Sequence, residues 1–174
     1  PALAEEVRRR EGQTEMPYDL IGHSAGGQFL TRLAAFMPAG ARRIVAGNPG
    51  SLVFPTRDMN FQFGFGSLPD ELSNDAALQR YLAAPLTLLL GIEDTGDKNL
   101  DVSEEAMRQG ATRIERGRAC FQMAEALAKA KGWPFAWRKV EVPGVGHYSK
   151  SLFANPATLK AFTPAPLRPT NKVR

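Results

Sequence analysis

The sequence predicts an α/β fold built on a parallel sheet, and three observations carry that prediction. Residues 86–90 (LTLLL) form an unbroken apolar run between Pro85 and Gly91, the pattern of a strand buried on both faces. Shorter apolar runs at 18–21, 43–47 and 136–142 have strand length and end at glycine or proline. Between the runs lie segments with apolar residues three and four apart, so strands and helices alternate as βαβ units require.

Taken in order, residues 2–11 (ALAEEVRRRE) place Leu3 and Val7 on one face of a helix, with Gly12 as its terminator. Residues 18–21 read as a strand that stops at Gly22. Residues 25–36 repeat apolar side chains at helical spacing (Phe29, Leu30, Leu33, Ala34, Phe36), and Pro38 and Gly40 close that helix. Residues 43–47 supply the second strand. Residues 48–84 are rich in Pro, Gly, Asn and Phe, show no long period, and read as an excursion with one helix near 75–83. After the strand at 86–90, residues 103–131 are helical, with a break expected near Gly110 or Gly117. The fourth strand covers 136–142, and a last helix is expected over 151–162 with Pro156 near its start. Residues 1–162 form one partial domain on this reading, and residues 163–174 a Pro-rich basic tail.

The 174 residues are 43% hydrophobic and 23% charged, a globular balance. The net charge of +4 is spread along the chain and concentrates only at Arg8, Arg9, Arg10 and at Arg168, Lys172, Arg174. Short runs of this kind are solvated faces, which argues against a nucleic-acid partner. The single cysteine, Cys120, excludes an internal disulfide. No apolar run approaches the roughly 18 residues of a membrane span, no signal peptide is visible, and nothing calls for a metal or organic cofactor. Both a cytoplasmic and an exported protein fit. The chain opens on Pro1 in what reads as the middle or end of a helix, so it is expected to be a piece of a longer protein.

The segment GHSAGG at 22–27 matches G-x-S-x-G between a strand and an amphipathic helix. A strand that turns this sharply into a helix needs small residues, because side chains on Gly22 or Gly26 would collide with neighbouring backbone. The turn exposes the Ser24 hydroxyl and puts the Ala25 N–H at a helix amino terminus, where it can donate to an oxyanion. A serine hydroxyl needs a base, and the chain has two histidines. His23 is adjacent to Ser24 with its side chain directed away, which suits a structural or pocket-lining role. His147 is left as the base; the loop 143–146 (PGVG) after the strand at 136–142 carries it to the carboxyl edge of the sheet, where ligands bind in such folds.

With GHSAGG at 22–27, LLLGIEDTGD at 88–97 and VPGVGHYS at 142–149, roughly residues 1–162 resemble the α/β-hydrolase family. The likeness is to its bacterial esterase and polyhydroxyalkanoate-depolymerase-like branches. The resemblance implies a serine hydrolase acting on a small-molecule or polymeric ester, with the order serine, acid, histidine; acyl transfer or peptide hydrolysis by the same triad, and a non-catalytic binding domain without a complete oxyanion hole, are the alternatives. Its acid follows the third strand by three or four residues, which selects Asp94, with Asp97 in reserve and Glu93 solvated. The 53 residues from Asp94 to His147 are accounted for by the helical stretch 103–131.

The excursion 48–84 stands where cap insertions emerge in this family. Phe54, Phe61, Phe63 and Phe65 either line an acyl pocket there or pack the loop on the core. Trp133 and Trp137 read as structural, and Arg113, Arg116 and Arg118 as surface charges on the long helix. The resemblance also implies strands before the one at 18–21 and a loop, often of HG type, that donates a second oxyanion N–H. The sequence contains no such segment, so the nucleophile strand is expected to form an exposed sheet edge.

Overall fold

A computed structural model describes residues 2–37 and 40–163. Pro38, invoked above as a helix stop, and the tail from Pro164 onward lie outside the described residues. The elements run α1 (Ala2–Glu11), β1 (Asp19–His23), α2 (Ala25–Phe36), β2 (Arg43–Gly47), α3 (Asp70–Ser73), α4 (Asp75–Leu82), β3 (Leu86–Gly91), α5 (Glu104–Met107), α6 (Arg113–Lys131), β4 (Arg138–Val142), α7 (Ser149–Ala154) and a 3₁₀ helix (Pro156–Ala161). The four strands form one parallel sheet in the order β1-β2-β3-β4. Ile21 pairs with Val45, Val45 with Thr87 and Thr87 with Arg138, so the carboxyl ends of all strands meet along one edge.

Strand side chains alternate between faces, and the sheet separates two apolar layers. Ile44, Ala46, Leu86, Leu88 and Leu90 pack with Leu30, Leu33, Leu78 and Ile114 on the side covered by α2, α4 and α6. Val45, Leu89, Val140 and Val142 pack with Leu152 and Ala161 on the side covered by α7 and the 3₁₀ helix. β3 lies between the layers and is buried at every position, which is why its sequence is apolar without alternation. β1 has a strand neighbour on one side only among the described residues, and its Ile21 is 52% exposed.

The structure narrows one helix expectation and changes two others. The helical stretch 103–131 breaks once, at Gly110 (φ 141), and α6 runs through Gly117. Thr112 and Glu115 restart the helix with a reciprocal capping box, and Gly132 in the left-handed conformation ends it. Gly117 faces β3 so closely that a Cβ there would lie 2.6 Å from Leu90 Cδ1. The expected last helix is split in two between Ala154 and Pro156. Proline lacks an N–H and keeps Asn155 extended (φ −73, ψ 130), and the Asn155 side chain then accepts from Ala157 N at 2.9 Å. Near 75–83 the single expected helix, α4, is preceded by the short α3.

The excursion is not a separate cap. Leu52, Val53, Phe54, Phe63 and Phe65 are buried, and Phe65 packs between the rings of Phe36 and Tyr81 at 5.1 and 5.6 Å. Phe61 is half exposed against Phe36. Buried polar groups pin the irregular backbone, as unsatisfied N–H and C=O groups would otherwise be costly. The Gln109 amide bonds both Leu52 N and Leu52 O, Tyr81 Oη donates to Val53 O, and Trp137 Nε1 donates to Tyr81 O. Of the three α6 arginines, only Arg118 is on the surface, paired with Glu141. Arg113 and Arg116 are 2% and 0% exposed. Burying a cation requires acceptors, and loop carbonyls supply them, those of Gly50, Asp101 and Gly110 for Arg116.

Candidate active site

Three loops at the carboxyl edge of the sheet converge on one point. The first is the turn from β1 into α2. Ser24 sits at its tip with φ 54 and ψ −116, a conformation that costs energy in any residue other than glycine, and its N–H donates to Gly47 O at 2.8 Å. The turn closes because two glycines remove steric bulk. A Cβ on Gly22 would lie 2.6 Å from the Gly26 carbonyl, and one on Gly27 would lie 2.8 Å from Gly47 O. Gly26 itself meets nothing within 4 Å among the described residues, so the crowded pair is Gly22 and Gly27 rather than Gly22 and Gly26. Ala25 opens α2, and its N–H has no carbonyl one turn back to bond.

The second loop follows β4. It is held against the end of β3 by Glu93 N donating to Val145 O at 2.9 Å, and it delivers His147 beside Ser24. His147 Nε2 lies 3.0 Å from Ser24 Oγ. The third loop follows β3 and buries Asp94, 1% exposed, with Oδ2 2.7 Å from His147 Nδ1. A carboxylate only accepts, so the proton is assigned to Nδ1. That leaves the Nε2 lone pair to accept from the Ser24 hydroxyl. Glu93 and Asp97 are exposed, and it is Asp94 that meets the imidazole.

His23 packs its ring 4.8 Å from that of His147 and edge-on to Phe153 at 6.3 Å. It makes no hydrogen bond to Ser24 among the described residues, and its Nε2 is buried without a partner there. Burial first, and the neighbouring His147 second, push its pKa below the ordinary imidazole value, so it is neutral at pH 7. An open depression of about 450 Å³ adjoins the site, lined by Glu93, Asp94, Gly96, Lys98, Asn99, Arg113 and His147. Phe54, Phe61, Phe63 and Phe65 do not line it. The more apolar groove of about 460 Å³, bounded by Phe36, Met37, Ile44 and Pro85, opens at the opposite, amino-terminal end of the strands, away from Ser24.

One residue that matters here has no signal in the sequence beyond its place after a strand. Asn48, 1% exposed and with φ 42, receives Gly91 N on Oδ1 at 2.7 Å and donates from Nδ2 to Gly146 O at 3.0 Å. It therefore ties the end of β2 to the end of β3 and to the residue before His147.

The parallel sheet and the helices that cover it have counterparts among solved structures. The structure superposes on the LpqC poly(3-hydroxybutyrate) depolymerase of Bordetella parapertussis at a TM-score of 0.78, with 32% identity, over 92% of this chain and 54% of that one. It superposes equally on poly(aspartic acid) hydrolase-1 of Sphingomonas sp. KT-1, at 0.78 with 30% identity, over 87% of this chain and 57% of that one. This is the α/β-hydrolase fold. The chain spans little more than half the length of these two α/β-hydrolases, so its strands represent part of the fold. No protein-family model and no curated protein sequence matches the chain. No helix among the described residues is long and apolar enough to cross a membrane.

Proposed function

We propose that this chain carries the acyl-transfer site of a serine hydrolase that cleaves carboxylic esters, small or polymeric. The observation that carries the reading is the unbroken contact chain from Ser24 Oγ to His147 to a buried carboxylate, with Ser24 on a strained turn at a helix amino terminus. In this reading His147 Nε2 takes the Ser24 proton as Oγ bonds to the ester carbonyl carbon. The carbonyl oxygen becomes an oxyanion, and the Ala25 N–H donates to it. Collapse breaks the bond to the alcohol, which leaves with the proton from His147. Water then repeats the sequence on the acyl-Ser24 ester and frees the acid. Asp94 keeps the imidazole in the tautomer this needs and stabilises the imidazolium.

The depolymerase likeness supports an ester. The equal likeness to a protein named for poly(aspartic acid) supports a second reading, hydrolysis of an amide by the same three groups. Both readings place the acyl group on Ser24. The test is labelling by a fluorophosphonate, located by mass spectrometry, together with turnover of p-nitrophenyl esters and of short peptide amides. Adduct on Ser24, its loss in Ser24→Ala, and faster turnover of esters than of amides are the expected results. Absence of the adduct overturns the serine mechanism, and preferential amide turnover overturns the ester assignment.

A further inference from the structure

We infer that Arg113 is a positioning residue for the Asp94 carboxylate. The inference rests on the triad reading above. Arg113 is the first residue of α6, and its guanidinium is 2% exposed. Its Nη2 donates to Lys98 O at 2.6 Å and its Nη1 to Gly96 O at 3.0 Å. The same Nη1 lies 3.5 Å from Asp94 Oδ1, the oxygen that His147 does not use. One cation thus pins the loop that carries the acid at Gly96 and at Lys98 and faces the free oxygen of the acid itself.

The chemistry gives this contact weight. Asp94 is 1% exposed, so water does little to hold its charge, and a buried charge must be compensated locally. Arg113 compensates it while leaving Oδ2 to the imidazole. Both loop bonds go to backbone carbonyls, so Arg113 holds the main chain of the loop itself. The Arg113 Nε finds no partner among the described residues, so Nη1 and Nη2 make its hydrogen bonds. Arg116, one turn further along α6, is an internal control. It is equally buried and bonds three backbone carbonyls (Gly50, Asp101, Gly110) where Arg113 bonds two, but among the described residues it makes no hydrogen bond or ion pair with Asp94.

The experiment compares Arg113→Met, Arg113→Lys and Arg116→Met in the full chain, with a thermal melt to establish that each is folded. Three readouts are taken: Ser24 labelling rate by fluorophosphonate, kcat and KM on the best p-nitrophenyl ester, and the strongly deshielded Nδ1–H proton resonance of His147. Arg113→Met is expected to lower kcat about 10- to 100-fold with KM little changed, the scale of a misplaced reacting group, and to shift or broaden the His147 resonance. Arg113→Lys restores part of both, because it keeps the charge beside Oδ1. Arg116→Met loses thermal stability but keeps the resonance and kcat. If Arg113→Met leaves the resonance and kcat in place, or if Arg116→Met moves them equally, the positioning role is overturned while the triad reading stands. Should Ser24 in the wild-type chain fail to label, it is the triad reading that falls. Should Arg113→Met fail to fold, Arg113→Gln and Arg113→Lys decide: loss of kcat and of the resonance in Arg113→Gln with partial recovery in Arg113→Lys is the expected result, and a wild-type resonance and kcat in both overturns the positioning role.

Discussion

At the residue scale, the site depends on which atom of each side chain faces which partner. Replacing Asp94 by Asn keeps the shape but can present an N–H to His147 Nδ1. The imidazole then takes the other tautomer and loses its lone pair toward Ser24. Asp94→Asn is therefore expected to lower kcat by about 10⁴ while the chain stays folded, the loss seen when a triad carboxylate is made an amide. Steady-state kinetics beside a circular-dichroism melt checks it, and a loss under tenfold would refute the orienting role. Asn48→Ala is expected to cost about 2–4 kcal/mol in urea unfolding, because it leaves the buried Gly91 N–H and Gly146 carbonyl without their side-chain partner. Much of this scale was legible in the sequence. Ser24 sits in a spaced motif, and a chain with two histidines, one of them adjacent to the serine, leaves little choice of partner. Asn48 and Arg113 were not legible, because both work through backbone groups of distant loops, and backbone acceptors leave no mark in residue type. An arginine at helical spacing reads as a solvated charge until the loop that supplies its carbonyls is in place.

The element scale is decided by how closely α6 lies on β3. Gly117 is the contact, and its role separates two effects that usually oppose one another. Alanine is preferred over glycine in a helix by about 1 kcal/mol. Overpacking a filled core costs about 1–3 kcal/mol. A Cβ 2.6 and 2.7 Å from the two methyls of Leu90 makes the second effect larger here, since Leu90 is itself buried at 1% exposure. Gly117→Ala should destabilise by up to about 2 kcal/mol. Adding Leu90→Val should recover part of it, as a coupling in a double-mutant cycle. Stabilisation by Gly117→Ala would show that the helix is free to move off the sheet. The existence of the four strands and of the main helices followed from apolar periodicity, whereas the choice between Gly110 and Gly117 for the expected break stayed open and the split at Pro156 was missed, for one reason. Glycine and proline state that a helix can end, whereas the folded backbone decides whether it does: Gly117 lies against Leu90 and stays helical, and Gly110, close against Glu115 and Arg116, takes φ 141, a conformation that residues with side chains rarely adopt.

For the whole molecule, charge pairs tie successive elements together at the surface, and their sign fixes how the chain responds to acid. Asp19 at the start of β1 bonds Arg42 and Arg43 at the start of β2; Glu141 on β4 bonds Arg118 on α6 and Lys139; Asp75 on α4 joins Arg57 and Lys131. The hydrogen bond from Arg118, chiefly, holds Glu141 down at about 2, and arginine bonds likewise lower Asp19 and Asp75. A carboxylate whose pKa is lower in the folded state contributes stability that is complete above its unfolded value, near 4–4.5. That contribution is lost as pH falls toward the folded value. His23 acts in the same direction from a higher pH: the unfolded imidazole protonates below about 6.5, while the buried one resists. The melting temperature should therefore hold steady from pH 8 to 7, decline gently below pH 6.5, and fall more steeply between pH 4.5 and 2. Glu141→Gln is expected to cost no more than about 1 kcal/mol at pH 7, because the pair is partly solvated. Its melting curve should converge with that of the wild type as the pH approaches 2. His23→Phe should flatten the shallow segment between pH 6.5 and 5 and leave the steep one unchanged. A wild-type chain equally stable at pH 7 and pH 3, measured by differential scanning calorimetry at fixed ionic strength, would mean that neither the pairs nor the buried imidazole is coupled to folding.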